Sequence, residues 1–303
     1  MFATVNVSRA AVSDLNTALQ DTYRACVGID ESLSDLKKLA GINTAVSAVG
    51  TGLGVGATAV GIAKAAKDKK IADLEKRLER LTEIRKNKGR PEVKKDELMA
   101  NMQVYYDENK DPTKEIEGDI EKLTKQSKKL GNWRTGLMAG TTATNIAGAI
   151  VSTKAVKKGD VQEQIDACMA ANKTLNGAIM SAKLSGQDVT EANKIYTACK
   201  EYASIDASKI LKHAKTARAA SVVGAAAGAV GTVTSAAANS NKVRDDNTDA
   251  GKQKEKNLNT ASNVLAGTAT VASATATAFS ATQITEIKRM VDVVQKCEGA
   301  LIQ

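Results

Sequence analysis

The sequence predicts an all-α protein: two tandem long antiparallel helical hairpins forming a four-helix layer of small-residue helices. Three observations carry this. The 303 residues include only 2 Pro and 3% aromatics beside 43% hydrophobic residues. Strands favour β-branched and aromatic residues in alternation, bounded by turn residues, and that punctuation is nearly missing. Next, four long windows hold no charge although 25% of all residues are charged. Finally, the four cysteines mirror the same fold points as the windows.

The windows are residues 39–63, 135–153, 219–241 and 257–285. About 20 apolar helical residues cross a hydrocarbon layer of roughly 30 Å. Four membrane-spanning helices are the direct expectation. A soluble bundle packed through Ala and Gly has the same composition, because the windows are poor in large apolar groups. Residues 219–241 offer only Val222, Val223, Val230 and Val233. Gly136 and Gly140, and Gly224 and Gly228, are spaced G-x-x-x-G, which lines small residues on one helix face and lets two backbones approach.

The first two windows centre near 51 and 144 and fold near 97, where Cys26 reflects onto Cys168. The last two fold near 250, where Cys199 reflects onto Cys297. Four cysteines allow three connectivities, and the reflection selects Cys26 with Cys168 and Cys199 with Cys297. Disulfides place these ends in a periplasmic or extracellular compartment. The alternative is four ordinary buried thiols. Residues 1–186 then form the first hairpin and 187–303 the second. An echo supports an internal repeat: Tyr23-x-Ala25-Cys26 recurs as Tyr196-x-Ala198-Cys199.

Taken in order, residues 1–20 show no basic n-region and no apolar h-region, so they do not read as a secretory signal peptide. The first hairpin's tip, 64–134, is long and charged. Ile71, Leu74, Leu78, Leu81 and Ile84 step by three or four, the stripe of an amphipathic helix suited to a coiled coil. The run Lys86 to Pro91 ends that helix, a second runs over 92–106, and a third starts at Asp111-Pro112 and leads to Trp133. Trp133 borders a window, where an interfacial Trp would sit and where a core or cap Trp is the equal alternative. The second tip, 242–256, is a short turn containing Gly251. The two tips carry 25 Lys/Arg against 19 Asp/Glu, a slight lean to cytoplasmic tips.

Sites for chemistry are few. Gly52-x-Gly54-x-x-Ala57 fits a loose dinucleotide fingerprint but follows no strand pattern. His213 is the only histidine, so a His-based metal site or a Ser-His-Asp site is not expected, and His213 itself, exposed in a basic helix, takes no catalytic role. Lys209, Lys212, Lys215 and Arg218 form a basic face beside a window, which suits anionic lipid or solvent better than nucleic acid. Asn6-Val-Ser8 and Asn172-Lys-Thr174 fit the glycosylation sequon, a frequent chance match. No cofactor, metal or small-molecule substrate is indicated. The expectation is a non-enzymatic membrane or cell-envelope structural and assembly protein, a homo-oligomer contacting lipid. A pore or channel subunit and a soluble scaffold or filament subunit are the alternatives.

Overall fold

A computed structural model describes residues 2–87, 112–157, 161–244 and 248–302. Among them there is no strand. The helices are α1 (Phe2–Cys26), α2 (Ile29–Asn87), α3 (Pro112–Lys157), α4 (Val161–Leu184), α5 (Thr190–Cys199), α6 (Ser208–Ala238), α7 (Asn241–Arg244) and α8 (Asp249–Ile302), with a 3-10 turn at Lys200–Ser204. The helix expected over 92–106 and the fold point near 97 lie outside the described residues, as does the side chain of Asn6.

The helix boundaries follow from local chemistry. Pro112 opens α3, at the first helical position where its missing N–H is no loss. α4 ends in a Schellman motif: Gly186 has φ +75°, its N–H donates to Lys183 O, and the Gln187 N–H donates to Ala182 O. Gly28, at φ +92°, makes the turn between α1 and α2. Asp188 Oδ1 accepts from the backbone N–H and hydroxyl of Thr190 and so fixes the start of α5. Asp206 does the same for α6 through Ser208.

One regularity runs through the long helices. From Leu33 to Lys64 on α2, buried positions recur in strictly alternating steps of three and four. The same alternation runs from Ser127 to Ala155 on α3 and, with Ala227 and Ala272 as extra buried positions, from Ile210 to Ala238 on α6 and from Ser262 to Cys297 on α8. That is the heptad period of left-handed helix packing. Here the seam residues inside the windows are Gly, Ala, Ser and Asn rather than Leu and Ile, apart from Met138, Thr141 and Gln283.

The chain forms two compact units. Unit 1 comprises Met1–Thr51, Ala143–Ala225 and Val271–Gln303. α1 packs along α4. Its largest apolar core joins Ile29, Leu33, Ile165, Tyr202, Ile287 and Val294 with all four cysteines. A second core joins Leu15 and Ala18 of α1 to Leu175, Ile179 and Ala182 of α4 and Ala192 of α5.

Unit 2 comprises Gly52–Thr142 and Ala226–Thr270. Its apolar centre is small: Ala57, Met138 and Ala266, with Leu137 and Leu265 against them. Glycines set the helix spacing. A Cβ on Gly54 would lie 3.1 Å from the Cα of Thr270, and one on Gly228 would lie 3.3 Å from the Cα of Thr142. At such approaches a side chain would have to push the neighbouring helix aside. The stripe Ile71 to Ile84 is half-buried along its length.

Candidate functional site

The cysteines come together in unit 1. Cys26, the last residue of α1, is bonded to Cys168 in α4 at 1.98 Å, with the Cα atoms 4.7 Å apart. Cys199, the last residue of α5, is bonded to Cys297 in α8 at 1.93 Å, with the Cα atoms 4.6 Å apart. These are the two pairs that the reflection selects. The arrangement adds something the reflection did not contain. Both bridges share one core, and the sulfurs of Cys26, Cys168 and Cys297 lie within 4.8 Å of one another. All four cysteines have no solvent exposure. The echoed motif ends a helix in both copies, at Cys26 and at Cys199.

Next to the bridges, Glu298 reaches from α8 to the start of α2. Its Oε1 accepts from the backbone N–H of Gly28 at 3.1 Å and of Asp30 at 3.2 Å, an N-cap supplied by a distant helix. Tyr202 is fully buried, and its hydroxyl has no partner. Burial first, then the charges of Glu298 and Asp30, hold the phenol protonated well above its usual range.

The charge-free windows have an inverted distribution of side chains. Among the described residues, 12 of the 17 exposed large hydrophobic side chains fall in the windows. In unit 1 they include Ile42, Val49, Ile146, Ile150, Val222 and Val271; in unit 2, Val55, Ile62, Val230, Val233 and Val264. The buried side of the same windows is small or polar. Met138 is its only large apolar side chain, beside Asn43, Ser47, Asn145, Ser152, Ser221, Ser273, Ser280 and Gln283. A protein shaped by water alone places these groups the other way round.

The polar side chains of unit 1 form a seam. Asn43 Nδ2 donates to Ser280 Oγ, and Ser273 Oγ donates to Asn145 Oδ1 at 3.0 Å. In unit 2 the buried polar groups include two cations beside Ser127, Thr141, Ser235 and Ser262. Lys64 is 3% exposed and pairs with Asp68 at 2.7 Å and Glu255 at 3.2 Å. Arg134 is 1% exposed and donates to the carbonyl of Asn259 at 3.2 Å. Neither burial is visible in the sequence, where both residues look like ordinary flanks of a window. The signal that points to Lys64 is its place at the end of the alternating series on α2.

No protein-family model, curated protein or solved structure matches the chain.

Among the described residues, three helical stretches suffice by length and composition to cross a membrane: Asp14–Ile84, Thr190–Ala238 and Asp249–Ile302. The expectation from the windows is four. The window on α3 falls short because Asn145 and five threonines dilute its 19 residues. Trp133 is 70% exposed and is therefore not a core residue. His213, expected to be exposed, is half-buried with its ring 5.5 Å from that of Phe279.

Proposed function

We propose that the protein is a non-enzymatic, membrane-embedded helical structural protein of the cell envelope. The inverted windows carry this reading. Val and Ile side chains that face outward in bands free of charge need a covering, and hydrocarbon is a covering that asks for no specific partner. The small, polar inner faces suit helix association in lipid, where packing and hydrogen bonds act instead of hydrophobic burial. The cystine-bearing end belongs in an oxidising compartment, periplasmic or extracellular. The tip side then faces the cytoplasm, and further copies of the chain associate within the bilayer.

The deciding experiment is alkaline carbonate extraction of membranes from expressing cells, combined with thiol labelling. Retention in the membrane with no reactive thiols is the expected result. Release as a soluble, detergent-free species overturns the reading and moves a soluble scaffold to first place. Dye release from liposomes carrying the purified protein separates a pore from a scaffold; retention of the dye is expected.

A further inference from the structure

At the edge of two charge-free windows, unit 1 has a groove with room for an occupant. It is open to the surface and has a volume of about 460 Å³. Asp35, Lys38 and Leu39 of α2 line it, with Lys154 and Lys157 of α3. At roughly 30 Å³ per molecule that is space for on the order of ten waters, so a phosphodiester with its glycerol fits.

Helix pairing explains why these residues meet. α2 and α3 run antiparallel and side by side in unit 1: a Cβ on Gly148 would meet Asn43 and Ser47, and one on Gly50 would meet Thr144. The same register brings Lys38 and Lys154 to one groove. Lys38 immediately precedes the window 39–63, and Lys154 immediately follows the window 135–153. The groove therefore marks the level at which both helices leave the charge-free band. Leu36 and Ala155, beside it in sequence, belong to the core that holds the cystines, so this is the cystine-bearing edge.

The charge of the groove is unbalanced. Lys38 lies 3.8 Å from Asp35. Lys154 and Lys157 are exposed and form no ion pair among the described residues. Their place in the last turn of α3 suits the helix dipole, but Lys38, in the body of α2, has no such reason to be there. Lysines converging from two helices attract an anion, and an ammonium group is a good donor to phosphate oxygens.

Inward of the groove the surface is apolar. Ile42 stands one heptad on from Asp35, and Ile150 one heptad before Lys157. Each repeats a groove position about 10 Å deeper in the band. Both are exposed, as are Val49 and Ile146 beyond them. A basic groove that continues into an exposed apolar strip fits a molecule with an anionic head and hydrocarbon tails. A soluble phosphate would fill the groove and leave the strip bare. A zwitterionic headgroup brings its own cation and leaves the lysines uncompensated.

We propose that Lys38, Lys154 and Lys157 hold the phosphate of an anionic phospholipid of the phosphatidylglycerol class, in the leaflet on the cystine side, with its chains against Ile42 and Ile150. This rests on the membrane reading and names the lipid chemistry that reading leaves open.

The test uses the full-length, disulfide-intact protein in mild detergent, titrated with phosphatidylglycerol or phosphatidylcholine of the same chain length. Native mass spectrometry counts the bound lipid. Preferential retention of phosphatidylglycerol is expected; equal retention of the two lipids overturns the proposal. In Lys154→Gln with Lys157→Gln, affinity for phosphatidylglycerol should fall roughly tenfold or more. A control of equal charge, Lys173→Gln with Lys183→Gln on α4, should leave it unchanged. Equal loss in the control overturns the proposal, because net charge then does the binding. All four lysines are exposed, so both double variants should fold. Millimolar inorganic phosphate should not displace the lipid, and displacement overturns the proposal in favour of a free-anion site. Carbonate extraction separates this site from the reading beneath it. A chain that stays in the membrane without a lipid preference loses this site alone, whereas one released into solution loses both.

Discussion

Tyr202 shows how much a single buried group can decide. Its hydroxyl is desolvated and unpartnered, so the phenol contributes only its ring to the core. Tyr202→Phe is expected to be neutral or stabilising by up to about 1–2 kcal/mol in urea denaturation, because the removed group made no bond. The same burial sets a pH dependence. The folded phenol titrates above its unfolded value of about 10. The folded state therefore holds a proton that the unfolded state releases, and stability falls as pH rises past about 10. Urea midpoints measured across that range should decline in the wild type and decline less in Tyr202→Phe. Lys64 is the opposite case, a buried charge that is paired. Removing both partners, Asp68→Ala with Glu255→Ala, leaves a bare ammonium in the core of unit 2. A loss of roughly 3–5 kcal/mol is expected in the same denaturation measurement.

Among the elements, adjacent glycines on α2 have opposite meanings. A Cβ on Gly52 meets nothing within 4 Å, whereas one on Gly54 meets the backbone of Thr270. Gly52→Ala should raise stability by about 0.5–1 kcal/mol through helix propensity. Gly54→Ala should lower it by roughly 1–3 kcal/mol through overpacking. Calorimetry on the two variants checks both signs. The start of α2 depends on α8, since Glu298 caps it; Glu298→Ala is expected to cost about 0.5–2 kcal/mol. Asp188 and Asp206 are held below the usual carboxylate range, first of all by hydrogen bonds from the Thr190 and Ser208 side chains. Their contribution is present above about pH 3.9 and is lost as pH falls below it, so far-UV circular dichroism should show α5 and the start of α6 loosening in acid. The sequence made the charge-free windows, the helix opening at Pro112 and the stripe from Ile71 to Ile84 plain, because charge and large apolar groups mark them. It hid the heptad seam. A repeat of Leu is conspicuous, but a repeat written in Gly, Ala, Ser and Asn resembles filler until the partner helices show which face it occupies. It hid Lys64 and Arg134 for a related reason, since a cation is assigned to solvent unless its counter-charges, far away in sequence, are known to meet it.

For the molecule as a whole, the cystines weigh more than any one contact. They close loops with sequence separations of 142 and 98 residues. In the chain-entropy account each such closure contributes roughly 4–5 kcal/mol, an effect exerted mainly on the unfolded chain. Because all four sulfurs are sealed from solvent, a mild reductant without denaturant should act slowly, with free thiols appearing only as the core opens. Counting thiols against time, with and without urea, checks this.

The heptad seam gives those bridges one more consequence, for alignment. Faces built from similar small residues are nearly indifferent to sliding by one repeat. A slip of seven residues displaces a helix by about 10 Å. Two cysteines brought to within 4.7 Å between their Cα atoms would then stand beyond the roughly 7 Å that a disulfide can span. A chain caught in the wrong alignment therefore cannot oxidise, and one in the right alignment is locked there. Oxidation works as a proofreading step, reading out whether the helices have found their places before it makes the choice permanent.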